Sequence, residues 1–179
     1  MDLNALKNFA PAVRRQLIEA VGRKLDFVLT GDTPDLREKV KQKASLKGKA
    51  EKDRSGLIEQ VAYTWFNRLT ALRFLDARGW HLFQARVLTP ANAEETQPEV
   101  LRLTRNGALP VELVPFTDPA RLNDLLDGRL PSQDAQGEVY RHLVLAACRY
   151  YHDLMPFLFE TLDDETELLL PDDLEPIRK

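Results

Sequence analysis

A mainly α-helical module is the fold class this sequence predicts, and three observations predict it. Apolar residues recur at spacings of three and four along several long stretches, the period of a helix that buries one face. Proline, glycine and short polar residues sit where helices start and stop. The one extended-looking stretch, Leu-Pro-Val-Glu-Leu-Val-Pro-Phe at 109–116, carries too many prolines for a central strand.

The elements follow in order. Pro11 opens a first helix with Val13, Leu17, Ile18, Val21, Leu25 and Val28 on one face, ending near Gly31. Thr33 caps a second helix with Pro34 at its first position. Leu36, Val40 and Ala44 give it a narrow apolar stripe, the mark of an arm or hairpin limb. Gly48 and Gly56 weaken it before the strongest helix begins. There Leu57, Ile58, Val61, Ala62, Trp65, Phe66, Leu69, Leu72 and Leu75 share a broad face, with Trp65 and Phe66 as core anchors and Gly79 as the stop. Arg68, Arg73 and Arg78 are spaced five apart and, at about 100° per residue, project in three directions. Arg73 has Asp76 three residues on, in reach of an ion pair.

Shorter segments come next. Thr96 and Glu99 have capping-box spacing, so a short helix should run over 98–105 and stop at Asn106-Gly107. Asp118-Pro119 starts another that stops at Gly128. A clear helix resumes from Glu138 with Val139, Leu143, Val144, Ala147, Tyr150, Tyr151 and Leu154, and Pro156 interrupts it. Phe157, Leu158, Leu162, Leu168, Leu169 and Leu170 form a last apolar element. The organisation expected is a single helical domain over 1–179, with a basic arm or limb at 32–56, a helical core at 57–174 and a tail at 175–179.

Composition narrows the function classes. At 44% hydrophobic and 30% charged, the 179 residues suit one soluble globular core. No apolar run approaches the roughly 20 residues of a membrane span, and Met-Asp-Leu-Asn-Ala-Leu-Lys is not a signal peptide. A single cysteine, Cys148, excludes an internal disulfide, so a cytoplasmic location is expected. The net charge of −3 conceals a division: residues 1–54 carry 13 Lys and Arg against 8 Asp and Glu, whereas residues 55–179 carry 12 against 20. The two ends are expected to attract one another or different partners.

The candidate DNA-backbone contacts are Arg37, Lys39, Lys41, Lys43, Lys47, Lys49, Lys52 and Arg54. Their helical angles spread round the axis, which makes a solvated arm the default and nonspecific nucleic-acid contact the alternative. His142, Cys148 and His152 fall on one helix. Cys148 and His152 share a face, the arrangement of a nucleophile and base or of two metal ligands, but two further ligands are missing, and they read as packed or surface residues. Asp163, Asp164, Glu165 and Glu167 read as a solvated acidic face rather than a divalent-ion site. No Asp or Glu has a lysine two positions later, which removes the nuclease pattern. No catalytic, cofactor-binding or metal residue is assigned.

Several stretches together carry a family resemblance. They are Ala-Tyr-Thr-Trp-Phe-Asn-Arg-Leu-Thr-Ala-Leu-Arg-Phe-Leu-Asp (62–76), Arg-Val-Leu-Thr-Pro-Ala-Asn-Ala-Glu-Glu-Thr-Gln-Pro-Glu (86–99), Asp-Pro-Ala-Arg-Leu-Asn-Asp-Leu-Leu-Asp-Gly-Arg (118–129), Val-Tyr-Arg-His-Leu-Val-Leu-Ala-Ala-Cys (139–148), Leu-Met-Pro-Phe-Leu-Phe-Glu (154–160) and Thr-Glu-Leu-Leu-Leu-Pro-Asp-Asp-Leu (166–174). In that order they resemble the N-terminal helical region of the BREX phage-defence adenine-specific DNA methyltransferases of the PglX type. Only residues 175–179 look foreign to the pattern. The resemblance implies, for the parent protein, N6 methylation of a DNA adenine with S-adenosylmethionine as cofactor.

That chemistry resides downstream in the family, in a Rossmann-like sheet with a Phe-x-Gly-x-Gly type loop and an Asn-Pro-Pro-Tyr or Phe loop that holds the flipped adenine. Neither loop occurs in this sequence: its eight glycines never fall within two positions of each other, no asparagine precedes a proline, and Pro-Pro is absent. No catalytic residue carries over. The chain therefore reads as an excised fragment or truncated form, inactive alone. It is expected to pack on the methyltransferase core in cis, to contact other BREX components, or to touch DNA phosphates. The alternatives are a free-standing interaction protein of a defence complex and a nonspecific DNA-binding module through the lysine-rich arm.

Overall fold

The computed structural model describes residues 3–160 and 164–172, with side chains from Pro11 to Glu160 and from Glu165 to Asp172. Among them every regular element is helical, in the order α1 (Leu3–Thr30), α2 (Pro34–Glu38), α3 (Val40–Arg78), α4 (Glu99–Arg105), a 3-10 helix (Val111–Phe116), α5 (Pro119–Leu126), α6 (Ala135–Leu154) and α7 (Asp164–Glu167). No strand and no Rossmann-like sheet is present among the described residues. None of these helices is long and apolar enough to cross a membrane. The tail at 175–179, together with Leu162 and Asp163, lies outside the described residues.

The chain divides into two compact units, one of Met1–Asn67 with Leu162–Ile177 and the other of Arg68–Thr161. The division falls inside α3.

In the first unit, α1 buries Val13, Leu17, Val21, Leu25 and Val28, the predicted stripe. Its start differs from the expectation. The helix begins at Leu3, and Pro11 lies inside it. Proline removes one backbone donor, which a helix carries at its first position or, at a cost, within. The end is as expected: the Gly31 N–H bonds Phe27 O at 2.7 Å.

Thr33 caps α2 and Pro34 opens it, as predicted. The limb expected to continue through Val40 and Ala44 does not exist as one helix. Lys39 leaves the helical region at φ −107°, ψ 36°, and α3 starts afresh at Val40. The restart rotates the stripe: Val40 is 65% exposed, Ala44 is exposed, and Leu46 is fully buried instead.

Gly48 does not interrupt α3, but Asp53 does, at φ −155°, ψ 86°. Its Oδ1 accepts the Gly56 N–H at 2.9 Å, an N-cap that restarts the helix. A Cβ at Gly56 would lie 2.2 Å from Asp53 Oδ2, so a larger residue here would require the Asp53 carboxylate to shift. Beyond the cap Leu57, Val61, Ala62 and Trp65 are buried, Trp65 completely, whereas Phe66 is half-buried.

In the second unit α3 runs on through the buried Leu69 and Leu72 and ends on Gly79, at φ +64°. The Trp80 N–H reaches back to Leu75 O at 3.1 Å, closing the helix in the manner of a glycine C-cap. The three arginines diverge: Arg68 is buried and donates to Glu160 O, Arg73 is half-buried, and the Arg78 guanidinium lies over the Phe74 and Trp80 rings at 5.6 and 5.8 Å.

The capping box expected at Thr96 does not form. Pro98 precedes α4 with no side-chain cap, and Glu99 Oε2 accepts from the Arg86 N–H at 3.0 Å instead. The proline-punctuated stretch is the 3-10 helix. Asp118 caps α5 through the Ala120 and Arg121 N–H groups, and α6 starts at Ala135 under an Asp134 cap, slightly before the expected Glu138. The 3-10 helix, α4 and α5 all pack on α6, whose Val139, Leu143, Val144, Ala147 and Tyr151 are buried. These α6 residues follow the apolar face read from the sequence.

Candidate functional site

The polar centre of the second unit is Asp76, in the last turn of α3. A carboxylate there faces the negative end of the helix dipole, an unfavourable place unless something holds it. What holds it is the loop that follows. Asp76 Oδ1 accepts from the Val87 N–H at 2.8 Å, and Oδ2 accepts from the Leu88 and Thr89 N–H groups at 2.9 and 2.8 Å and from Thr89 Oγ1 at 3.0 Å. The side chain is fully buried and also meets His81 Nε2 at 2.6 Å.

His81 continues the network, its Nδ1 lying 3.0 Å from the Tyr151 hydroxyl. The Leu82 N–H donates to that same hydroxyl at 3.3 Å. One proton assignment satisfies every group: His81 neutral, its Nε2–H donated to Asp76, and the Tyr151 O–H donated to Nδ1. Burial pushes the Tyr151 phenol up to about 12, so it keeps its proton across the working range. Around it Phe83, Tyr150 and Phe159 pack at ring distances of 5.8, 5.1 and 5.3 Å.

Carboxylate, imidazole and hydroxyl in series have the order of an acid–base relay, but each is nearly sealed from solvent. The network ties the loop at 81–89 to α3 and α6. The expected Arg73–Asp76 ion pair does not form, because the carboxylate is turned inward and fully engaged. Sequence reasoning missed this hub, and an acid in the last turn of a helix is the signal that could have found it.

The eight basic candidates all lie in the first unit, and the structure engages most of them internally. Arg37 pairs with Asp32 at 2.8 Å, and its hydrogen bond and charge hold the Asp32 carboxyl below the usual range. Lys39 pairs with Asp35 at 2.8 Å, Lys43 donates to Gly31 O at 2.7 Å, and Arg54 pairs with Asp26 at 2.9 Å. Lys47 sits 4.0 Å from Glu51. Lys49 meets Glu165 at 2.9 Å. Lys41 and Lys52 are exposed and, among the described residues, make no ion pair.

The acidic end does meet the basic end. Glu165 Oε1 accepts from Ser45 Oγ at 2.8 Å as well as from Lys49, and Asp172 holds the buried Lys24 at 2.5 and 2.7 Å. Glu165 and Glu167 therefore do not form the solvated face expected of them; Glu167 is itself buried. Asp163 and the Asp164 side chain lie outside the described residues.

The Lys49 and Ser45 hydrogen bonds lower the Glu165 carboxyl to about 2 from 4.5. A depressed carboxyl stabilises the fold fully above its ordinary value, and that stabilisation is lost as pH falls from 4.5 toward 2. With solvent screening at the half-exposed lysine, Glu165→Gln should cost about 1–2 kcal/mol near neutrality. Melting curves should show the gap between wild type and variant closing through that acid window.

Cys148 is buried on α6. His152 Nδ1 donates to Phe159 O at 2.7 Å, fixing the turn after α6. No group of His, Cys, Asp and Glu that could hold a metal ion occurs among the described residues.

No family model matches the chain. It is 31% identical over 197 residues to the adenine-specific methyltransferase BrxX of Escherichia coli O9:H4 (strain HS), an alignment covering 97% of this chain and 16% of that protein. It is 27% identical over 201 residues to the adenine-specific methyltransferase PglX of Lacticaseibacillus casei (strain Zhang), covering 94% of this chain and 16% of the relative. The chain thus spans about a sixth of the length of the curated relatives it matches.

Proposed function

We propose that this chain, similar to two adenine-specific methyltransferases over nearly its whole length, serves as a helical, non-catalytic module from the N-terminal region of a BREX methyltransferase. Its work is to position: it packs against the methyltransferase core or contacts other components of the defence system. The observation that carries this reading is the alignment over 97% of the chain in a sequence without a glycine-rich turn or an Asn-Pro-Pro loop. In the parent protein, S-adenosylmethionine would supply the methyl group and a DNA adenine would receive it.

Physical chemistry supports leaving the cofactor out of this module. A nucleoside cofactor needs a close backbone approach at a glycine turn, commonly at the edge of a parallel sheet. The regular elements among the described residues are helices, and the sequence has no glycine-rich turn. Direct DNA contact through residues 37–54 is the weaker reading, because Arg37, Lys39, Lys43, Lys49 and Arg54 already hold partners within the chain. A cation that must leave one partner for a phosphate gains less from counterion release.

Isothermal titration of S-adenosylmethionine into this chain tests the proposal. No binding at micromolar concentrations is the expected result; a micromolar dissociation constant would sink the assignment of a cofactor-free module.

A further inference from the structure

The second unit contains a pocket of about 430 Å³ lined by Pro115, Phe116, Thr117, Asp118, Arg121, Leu122, His142 and Arg149. We propose that it binds a small phosphate monoester, with Arg121, Arg149, His142 and the Thr117 hydroxyl around the phosphate and Phe116 beside the organic part. This inference is independent of the methyltransferase kinship.

The pocket is built by three elements that the core already fixes. Phe116 ends the 3-10 helix and meets Tyr150 of α6 edge-on at 6.0 Å. Asp118 and Arg121 belong to the cap and first turn of α5. His142 and Arg149 come from α6 and are seven residues apart, so at about 100° per residue they lie on one stripe, two turns from each other. A cation from α5 thus shares the pocket lining with an imidazole and a cation from α6.

Charge and hydrogen-bond chemistry select the ligand class. Two guanidiniums outnumber the one carboxylate, and Asp118 Oδ1 is turned to the Ala120 and Arg121 N–H groups at 3.0 and 3.2 Å. Thr117 Oγ1 is sealed from solvent with no hydrogen-bond partner, and it meets a ligand oxygen only when its side chain turns into the pocket, which would relieve the cost of an unmet buried hydroxyl. Guanidiniums present paired donors that match phosphate geometry. Arg121, His142 and Arg149 each have interactions of their own within the chain, so the phosphate would join an existing network. The volume falls in the range of small-ligand sites, roughly 300–1,000 Å³, large enough for an organic group beside Phe116.

The test is calorimetric titration of the intact chain at low ionic strength with three probes: inorganic phosphate, a nucleoside monophosphate and a short single-stranded oligonucleotide. Saturable binding of phosphate and tighter binding of the monophosphate are expected. Arg149→Ala should weaken the monophosphate by about 10-fold and Arg149→Lys by less, since lysine keeps the charge and loses the fork. Thr117→Val separates site from scaffold: a ligand-facing hydroxyl predicts weaker binding by several fold with an unchanged or raised melting temperature. Three results would overturn the proposal: no heat with either phosphate at tens of millimolar, monophosphate affinity unchanged in Arg149→Ala with its fold intact, or binding of the oligonucleotide alone.

Discussion

Asp76→Ala should melt the second unit at least about 10 °C below wild type, the largest single-residue effect expected in this chain. The argument is one of stranded donors. Removing the carboxylate leaves the Val87, Leu88 and Thr89 N–H groups, the Thr89 hydroxyl and His81 Nε2 without their acceptor. A buried donor left unmet costs about 1–3 kcal/mol. Partial relaxation and water entry would bring the total to about 3–5 kcal/mol, the upper range for point substitutions. Against a domain stability of about 5–15 kcal/mol this is a large share. Asp76→Asn should recover part of the loss, because one oxygen remains while the new amide N–H₂ faces donors. Chemical denaturation of the three proteins checks the order wild type, Asn, Ala. Near-equal stabilities would show that the loop at 81–89 does not depend on the carboxylate.

Trp65→Ala should be nearly as damaging, and for a different reason. The indole is fully buried in the first unit, on the α3 face that also buries Leu57, Val61 and Ala62. Truncation forfeits the transfer free energy of the ring and leaves a cavity that neighbours fill only in part, about 3–5 kcal/mol for a large aromatic. Trp65→Phe should retain most of the packing and lose less. Phe66→Ala provides the internal control: Phe66 is half-buried, so its truncation should cost clearly less than that of Trp65. A guanidinium titration followed by far-ultraviolet dichroism gives all three values, and a Phe66 loss equal to the Trp65 loss would contradict the burial argument.

Much of the fold was legible because helix punctuation is local. Thr33-Pro34, Asp118-Pro119, Gly79, Asn106-Gly107 and Gly128 start or stop helices where sequence rules place them. The illegible parts depended on chain segments far away. Proline spacing alone does not separate the first position of a helix from an interior one, and Pro11 proved interior. The break at Lys39 shifted the buried stripe from Val40 and Ala44 to Leu46, a register that periodicity read across the break could not give.

The candidate site divides in the same way. The basic cluster was visible, and so was the chance that it attracts the acidic end. Which cations were already engaged was not visible, because Lys49 finds Glu165 and Lys24 finds Asp172 more than a hundred residues away. The pattern at Asp76 invited a helix-surface reading, since the loop that donates to the carboxylate has no periodic signal of its own. The cation-lined pocket draws Thr117, Arg121, His142 and Arg149 from three elements, and their spacing along the chain carries no sign of convergence.

The proposed role makes this module necessary to a methyltransferase without methylation of its own. Its most direct test is adenine methylation by a full-length relative, measured for the intact protein, for a deletion of the segment homologous to this chain that still binds S-adenosylmethionine, and for this chain alone. The expected result is methylation by the intact protein, loss of it in the deletion, and none from the chain. Methyl transfer by the isolated chain, or undiminished methylation by the deletion, would contradict the account.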